Sequence, residues 1–146
     1  MSLSKVHKFL ATAAATAALA GAAVVAAPAA QAAGYGCSGS HVWSGTVYAL
    51  NGSAAGTVHT YYDGTYNCSS FVKSAYYGTP TYTNIAIQNG NDQYWNWSDA
   101  SIQQYKYWAG PAKVYAPGQC VRERVVEYDP SVNLFVDYYS PWHSCS

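Results

Sequence analysis

The chain has 146 residues, of which 10% are charged and 16% aromatic, and its formal net charge is zero. Its seven Lys/Arg are spread along that length, which argues against the clustered cationic face that nucleic acid or an anionic membrane surface requires. The four cysteines, Cys37, Cys68, Cys120 and Cys145, include no C-x-x-C pair. That argues against the common zinc pattern, and an even cysteine count in a small exported chain implies two disulfides.

Export itself is predicted from the first stretch of the chain. Lys5, His7 and Lys8 precede an alanine-rich apolar run over residues 9–27, followed by Pro28 and the small-residue pattern Ala30-Gln31-Ala32. This is the layout of a secretory signal peptide cleaved after Ala32. Alanine and threonine dominate the run, so it is weakly hydrophobic for a permanent span. The expected organisation is a signal peptide over residues 1–32 and a single secreted β domain over residues 33–146. The mature protein is expected outside the cell, with no membrane attachment after cleavage. Cleavage would leave 114 residues with five Lys/Arg against seven Asp/Glu, a net charge of −2 with the histidines neutral. That length suits one domain with one core. Three cysteine connectivities remain open, and sequential pairing, Cys37 with Cys68 and Cys120 with Cys145, is preferred because it closes the shorter loops. Each bridge would contribute about 3–4 kcal/mol by restricting the unfolded chain.

After a Gly/Ser-rich start over residues 34–40, strand-like segments follow one another at short intervals. Residues 41–50 carry Val42, Trp43, Val47 and Tyr48 and end at Asn51-Gly52. Residues 56–62 end at Asp63-Gly64, a strong hairpin signal, and residues 66–77 form the return strand. In residues 81–88, Tyr82, Asn84, Ala86 and Gln88 fall on one face and Thr83, Ile85 and Ile87 on the other. Turn signals at residues 89–92 and at Ser98-Asp99 bound a short segment, Tyr94 to Trp97. Residues 105–121 read as strand, turn at Gly110-Pro111, strand, turn at Ala116-Pro117-Gly118-Gln119, strand. In the second turn Pro followed by Gly fits a type II turn. Residues 119–128 and 132–139 complete the series. No segment sustains a helical period. The predicted fold is all-β: a small disulfide-stabilised antiparallel sandwich or partly closed barrel of about eight short strands.

Fifteen tyrosines and five tryptophans are the compositional signature of the chain. Some rings are expected to fill the core, each with a polar group that needs a partner, and others to lie on the surface. The surface is otherwise mainly Ser, Thr, Asn, Gln and Gly, which suits extracellular contact with polymers or proteins.

Several patterns resemble catalytic motifs without meeting their requirements. Ser70-Phe71-Val72-Lys73 matches S-x-x-K, but it sits in a strand and lacks the partner motifs of that chemistry. His41, His59 and His143 lie at no metal-ligand spacing and in no recognised triad order. Asp92 and Asp99 bracket Tyr94-Trp95-Asn96-Trp97, yet a glycosidase needs two carboxylates across a cleft. No catalytic residue, metal ligand or cofactor is therefore predicted. The candidate ligand-binding residues are Tyr94, Trp95 and Trp97. Trp95 and Trp97 share one strand face, where they would form either a sugar-stacking platform or part of the core. Arg122 and Arg124 share a face with Cys120, either as a basic spot or inhibitor loop, or as a solvated face balanced by Glu127 and Asp129.

Gly36-Cys37, Gly45-Thr46-Val47-Tyr48 and Asn67-Cys68, with residues 105–111 (YKYWAGP) and 116–121 (APGQCV), together resemble the spore-associated protein A family of filamentous actinobacteria. The resemblance implies export, association with a spore or cell surface, and no enzymatic activity. The function expected is that of a non-enzymatic secreted surface protein with a structural or binding role, its partners being spore or cell-wall components, polysaccharide among them. The alternatives are a carbohydrate-binding module using exposed Trp/Tyr and a secreted protease inhibitor.

Overall fold

The computed structural model describes residues 34–145, so the expected signal peptide lies outside the described residues. Alternating polar and apolar residues, interrupted at the turn sequences, give nine strands. These are β1 (Ser40–Tyr48), β2 (Ala54–Tyr62), β3 (Tyr66–Lys73), β4 (Thr81–Asn89), β5 (Asn96–Trp97), β6 (Gln103–Tyr105), β7 (Trp108–Tyr115), β8 (Val121–Tyr128) and β9 (Leu134–Tyr139). One sheet runs β1-β2-β3-β7 and the other β5-β4-β8-β9, with β6 also paired to β4. All pairings are antiparallel and the two sheets stack as a β-sandwich. The described residues include no helix. Both disulfides form, Cys37–Cys68 and Cys120–Cys145, in the sequential pairing. They suit an oxidising, extracytoplasmic compartment.

The turn chemistry works largely as the residues predict. Asp63 Oδ1 accepts the backbone N–H groups of Thr65 and Tyr66, at 3.0 and 2.7 Å, and closes the β2–β3 hairpin. These hydrogen bonds, that of Tyr66 foremost, hold the Asp63 carboxyl below its ordinary pKa. At Ala116-Pro117-Gly118-Gln119 the Gln119 N–H reaches the Ala116 carbonyl at 3.3 Å, and Gly118 takes φ +65°.

Two expectations for residues 105–121 are corrected. Gly110-Pro111 is not a turn: it lies inside β7, where a cis peptide and Gly110 at φ +121° form an irregularity opposite Ser69 and Phe71. Nor do the strands on either side of Pro117-Gly118 pair as a meander. The turn carries the chain from β7 in one sheet to β8 in the other, where the two edges of β8 pair in register with β4 and β9.

The core is made of small aliphatic side chains, among them Val47, Val58, Ile85, Ile87, Val114, Val121, Val125 and Val136, with Phe71 as its one fully buried ring among the described residues. Trp43, Phe135 and Tyr138 pack only at its margin. The expected filling of the core by Tyr and Trp is thus corrected. The interior space left over is taken by hydroxyls and carboxylates instead. Along β8, Val121, Glu123, Val125 and Glu127 are all buried, while Arg122, Arg124, Val126 and Tyr128 are only partly so. Both glutamates therefore point into the sandwich.

Glu123 is completely buried and accepts hydrogen bonds from four side chains. Thr60 and Ser69 of the first sheet reach Oε1 at 2.9 and 2.7 Å. Ser140 and His143 Nε2 reach Oε2 at 2.8 and 2.7 Å. Glu127 meets Lys73 Nζ at 3.4 Å and the Thr81 hydroxyl at 2.7 Å. The idea that Glu127 balances the arginines on a solvated face is corrected by this placement: it lies on the opposite side of the strand. Burial without partners would cost several kcal/mol per charge, so the surrounding hydroxyls and the ammonium are what make these positions tenable.

Candidate functional site: a tryptophan–arginine face

On the outer side of the second sheet, alternation on β8 places Arg122 and Arg124 side by side. The register sets Trp97 opposite Ala86, Ala86 opposite Arg124, and Arg124 opposite Tyr139. The methyl group of Ala86 fills little of the row, so the long side chains flanking it meet above it. The Arg124 guanidinium lies 5.7 Å from the Trp97 ring centre and 5.0 Å from that of Tyr139. Arg122 lies 5.1 Å from the Trp95 ring and 4.6 Å from that of Trp142. Trp95 meets Tyr139 edge-on at 5.8 Å. The outcome is a continuous row, Trp142, Arg122, Trp95, Tyr139, Arg124, Trp97, in which each arginine lies between two rings and the central Trp95–Tyr139 contact is edge-on. Each cation–ring contact contributes about 0.5–1 kcal/mol at such an exposed position.

Polar contacts beneath the stack fix its cations. Asp137 on β9 takes Arg124 in a two-pronged grip, Nε to Oδ1 at 2.9 Å and Nη2 to Oδ2 at 3.1 Å. This hydrogen bonding raises the Arg124 pKa further, so its charge is permanent. It is Asp137, not Glu127 or Asp129, that balances this arginine. Arg122 donates Nε–H to Gln88 Oε1 at 2.9 Å, and the Gln88 amide is anchored in turn on the Asp92 carbonyl at 2.6 Å. Arg122 joins none of the ion pairs among the described residues.

Of the predicted binding residues, Trp95 and Trp97 enter this stack and neither belongs to the core. Tyr94 is 80% exposed and stands apart from it. Tyr139 and Trp142 were not anticipated from sequence. They reach the site from β9 and from the C-terminal segment, which is held down by the Cys120–Cys145 bridge and by paired backbone hydrogen bonds between Val121 and His143 at 2.9 and 3.0 Å. The stacked guanidinium groups cover ring faces that a sugar would need. What remains open is ring edges, guanidinium N–H groups and the outer faces of the end rings, with Trp97 39% and Trp142 44% exposed. Arg122 sits within a paired strand, not on the exposed loop that a protease inhibitor presents.

The other sequence candidates are engaged in packing and hydrogen bonds where the described residues place them. Ser70 and Lys73 diverge: Ser70 donates to the Tyr35 carbonyl at 2.8 Å, while Lys73 enters the interior. His143 meets Glu123 and Ser144, but Trp43 lies flat on its ring at 3.8 Å, so the cluster seats the C-terminal segment. His41 and His59 form an aromatic group with Tyr35 and Tyr61, and burial followed by the charge of His41 lowers the His59 pKa. Asp99 accepts the Tyr105 and Ser98 hydroxyls at 2.7 and 3.1 Å. No grouping of three His, Cys, Asp or Glu suited to a metal ion occurs among the described residues. Comparison with protein-family models, with curated proteins and with solved structures finds no match to this chain.

Proposed function

We propose that the protein is a non-enzymatic secreted β domain that attaches to a spore or cell surface through the tryptophan–arginine face. The observation that carries this reading is the six-membered stack, because rigid Trp, Tyr and Arg side chains are the types that concentrate binding energy in interfaces. Their mutual packing orders them before any partner arrives, which lowers the entropic cost of association. The resemblance to spore-associated protein A supports the same placement. The test is retention of the mature protein on spores, peptidoglycan, chitin and cellulose, compared with Arg122→Ala and Trp95→Ala variants of verified fold. Retention of the wild type with at least a tenfold loss in both variants supports the reading, and retention on none of the four sinks it.

A carbohydrate-binding module is the second reading, favoured by the partly exposed end rings Trp97 and Trp142. It requires that chitin or cellulose retention depend on those two rings more than on Arg122. An equal loss in all variants speaks against it.

A further inference from the structure

Residues 74–80 carry the chain from β3 in the first sheet to β4 in the second, and residues 106–107 carry it back from β6 to β7. These two crossovers lie side by side. Lys73 N–H donates to the Tyr107 carbonyl at 2.9 Å, and Gly78 N–H to the Lys106 carbonyl at 2.8 Å. The buried Lys73 ammonium pins them from beneath, donating to the carbonyls of Thr79 and Tyr105 at 2.9 and 3.0 Å. Each crossover puts one tyrosine on the surface, Tyr77 63% and Tyr107 50% exposed. Their ring centres are 5.0 Å apart and their planes 60° from parallel. Two phenols are thus open to solvent on their outer sides and held against each other by hydrogen-bonded backbone. Other exposed tyrosines lack this combination. Tyr94, the most exposed, meets no other ring among the described residues. Tyr66 and Tyr115 do touch, but at 5.7 Å and 73°, in an edge-on contact set by the register of β3 with β7.

We propose that Tyr77 and Tyr107 form a site of oxidative cross-linking, joined through the ring carbons beside their hydroxyls when a haem peroxidase and hydrogen peroxide act on the folded domain. Each phenol gives up one electron and its hydroxyl proton, becoming a phenoxyl radical with unpaired spin on its Cε carbons. The two radicals combine and a Cε–Cε bond forms. The hydrogen on each coupling carbon then moves to the oxygen of its own ring, which restores both phenols. The peroxide takes up the two electrons and two protons and leaves as two waters, so the protein loses two hydrogens. Directly bonded phenol rings are twisted about the new bond, with centres only slightly closer than those of this pair, so coupling needs a small side-chain movement. Fixed proximity favours the link within one chain over encounter between two chains. The product would fasten the two crossovers to each other. Neither disulfide reaches them, since Cys37–Cys68 ties the N-terminal segment to β3 and Cys120–Cys145 ties the start of β8 to the C-terminal segment. The site is independent of what the tryptophan–arginine face binds.

The test treats dilute exported protein, disulfides intact, with a haem peroxidase and hydrogen peroxide, and isolates the monomer by size exclusion. The monomer should gain dityrosine fluorescence and lose the mass of two hydrogens. After reduction, trypsin mapping should join peptide 74–106 to peptide 107–113 through Tyr77 and Tyr107. Tyr77→Phe and Tyr107→Phe keep the exposed ring but remove the phenol, and each should cause at least a fivefold loss of monomer fluorescence. Tyr66→Phe should retain it. A monomer without a cross-link, one linked through Tyr66 and Tyr115 instead, or fluorescence undiminished in the Tyr77 and Tyr107 variants overturns the inference.

Discussion

Replacing Glu123 with Leu tests whether the polar interior holds the two sheets together. The carboxylate accepts from Thr60, Ser69, Ser140 and His143, all at 2.7–2.9 Å. Some of these donors have a second choice. Thr60 and Ser69 lie 2.9 Å apart and can bond to each other, and Ser140 has the Pro141 carbonyl at 3.0 Å. The His143 Nε2 position has no such substitute among the described residues, and one proton of the Thr60–Ser69 pair is left over. Two stranded donors at about 1–3 kcal/mol each give about 2–6 kcal/mol. Leucine burial returns part of that, so a net loss of about 2–4 kcal/mol is expected. Glu123→Gln keeps an acceptor for half of the donors and should lose about half as much. The assay is urea unfolding with disulfides intact, followed by tryptophan fluorescence and circular dichroism together to establish a two-state transition. At a slope of about 2 kcal/mol per molar urea, the Leu variant should lose about 1–2 M in midpoint. A Leu variant within about 0.5 kcal/mol of wild type would refute the argument, since that is the range of an inconsequential surface change.

Two further outcomes follow from local geometry. Gly110→Ala should destabilise by about 1–3 kcal/mol in thermal unfolding, because its φ of +121° resists a side chain and the added Cβ would lie 2.8 Å from Ser70 Oγ. Tyr105 is raised to about 12, first by burial and then by its hydrogen bond to the Asp99 carboxylate. Its folded pKa exceeds the unfolded value, so the stability it contributes is complete below pH 10 and is lost as the pH rises toward about 12. Phenolate absorbance, taken as the difference between wild type and Tyr105→Phe, should show the late ionisation. Asp99→Ala should bring it part of the way back, since burial remains; an unmoved titration would remove Asp99 from the account.

Strand β8 shows where sequence reading succeeds and where it stops. The alternation of Val-Arg-Glu-Arg-Val-Val-Glu-Tyr is visible at once, and so is the sharing of one face by both arginines. Which face turns inward is not visible, because buried glutamates contradict the ordinary rule that charge faces water. The Glu123 partners Ser69 and Thr60 are 54 and 63 residues away in the chain, so no local pattern reveals the compensation. The stack was half legible for the same reason. Trp95 and Trp97 stand out by spacing, whereas Tyr139 and Trp142 join them only through the β8–β9 register and the C-terminal anchoring. Gly110-Pro111 misleads in another way: the same dipeptide serves a turn or an irregularity within a strand, and only pairing with β3 separates the two.

Because one strand supplies both the interior glutamates and the outer arginines, the fold and the proposed contact face are specified together. A one-residue slip of β8 would put both arginines into the core and both glutamates into water, so the polar clamps oppose any other register. The coupling has a direct physical route. Glu123 holds His143, His143 pairs with Val121, and Trp142, the residue just before His143, caps the stack against Arg122. Loosening the buried carboxylate should therefore free the end of the stack more than its middle. Arg124 is still gripped by Asp137 and sits between Trp97 and Tyr139, whereas Arg122 would lose one of its two rings. A Glu123→Gln protein that stays folded should accordingly weaken surface retention through Arg122 alone, making it and Arg122→Ala less than additive.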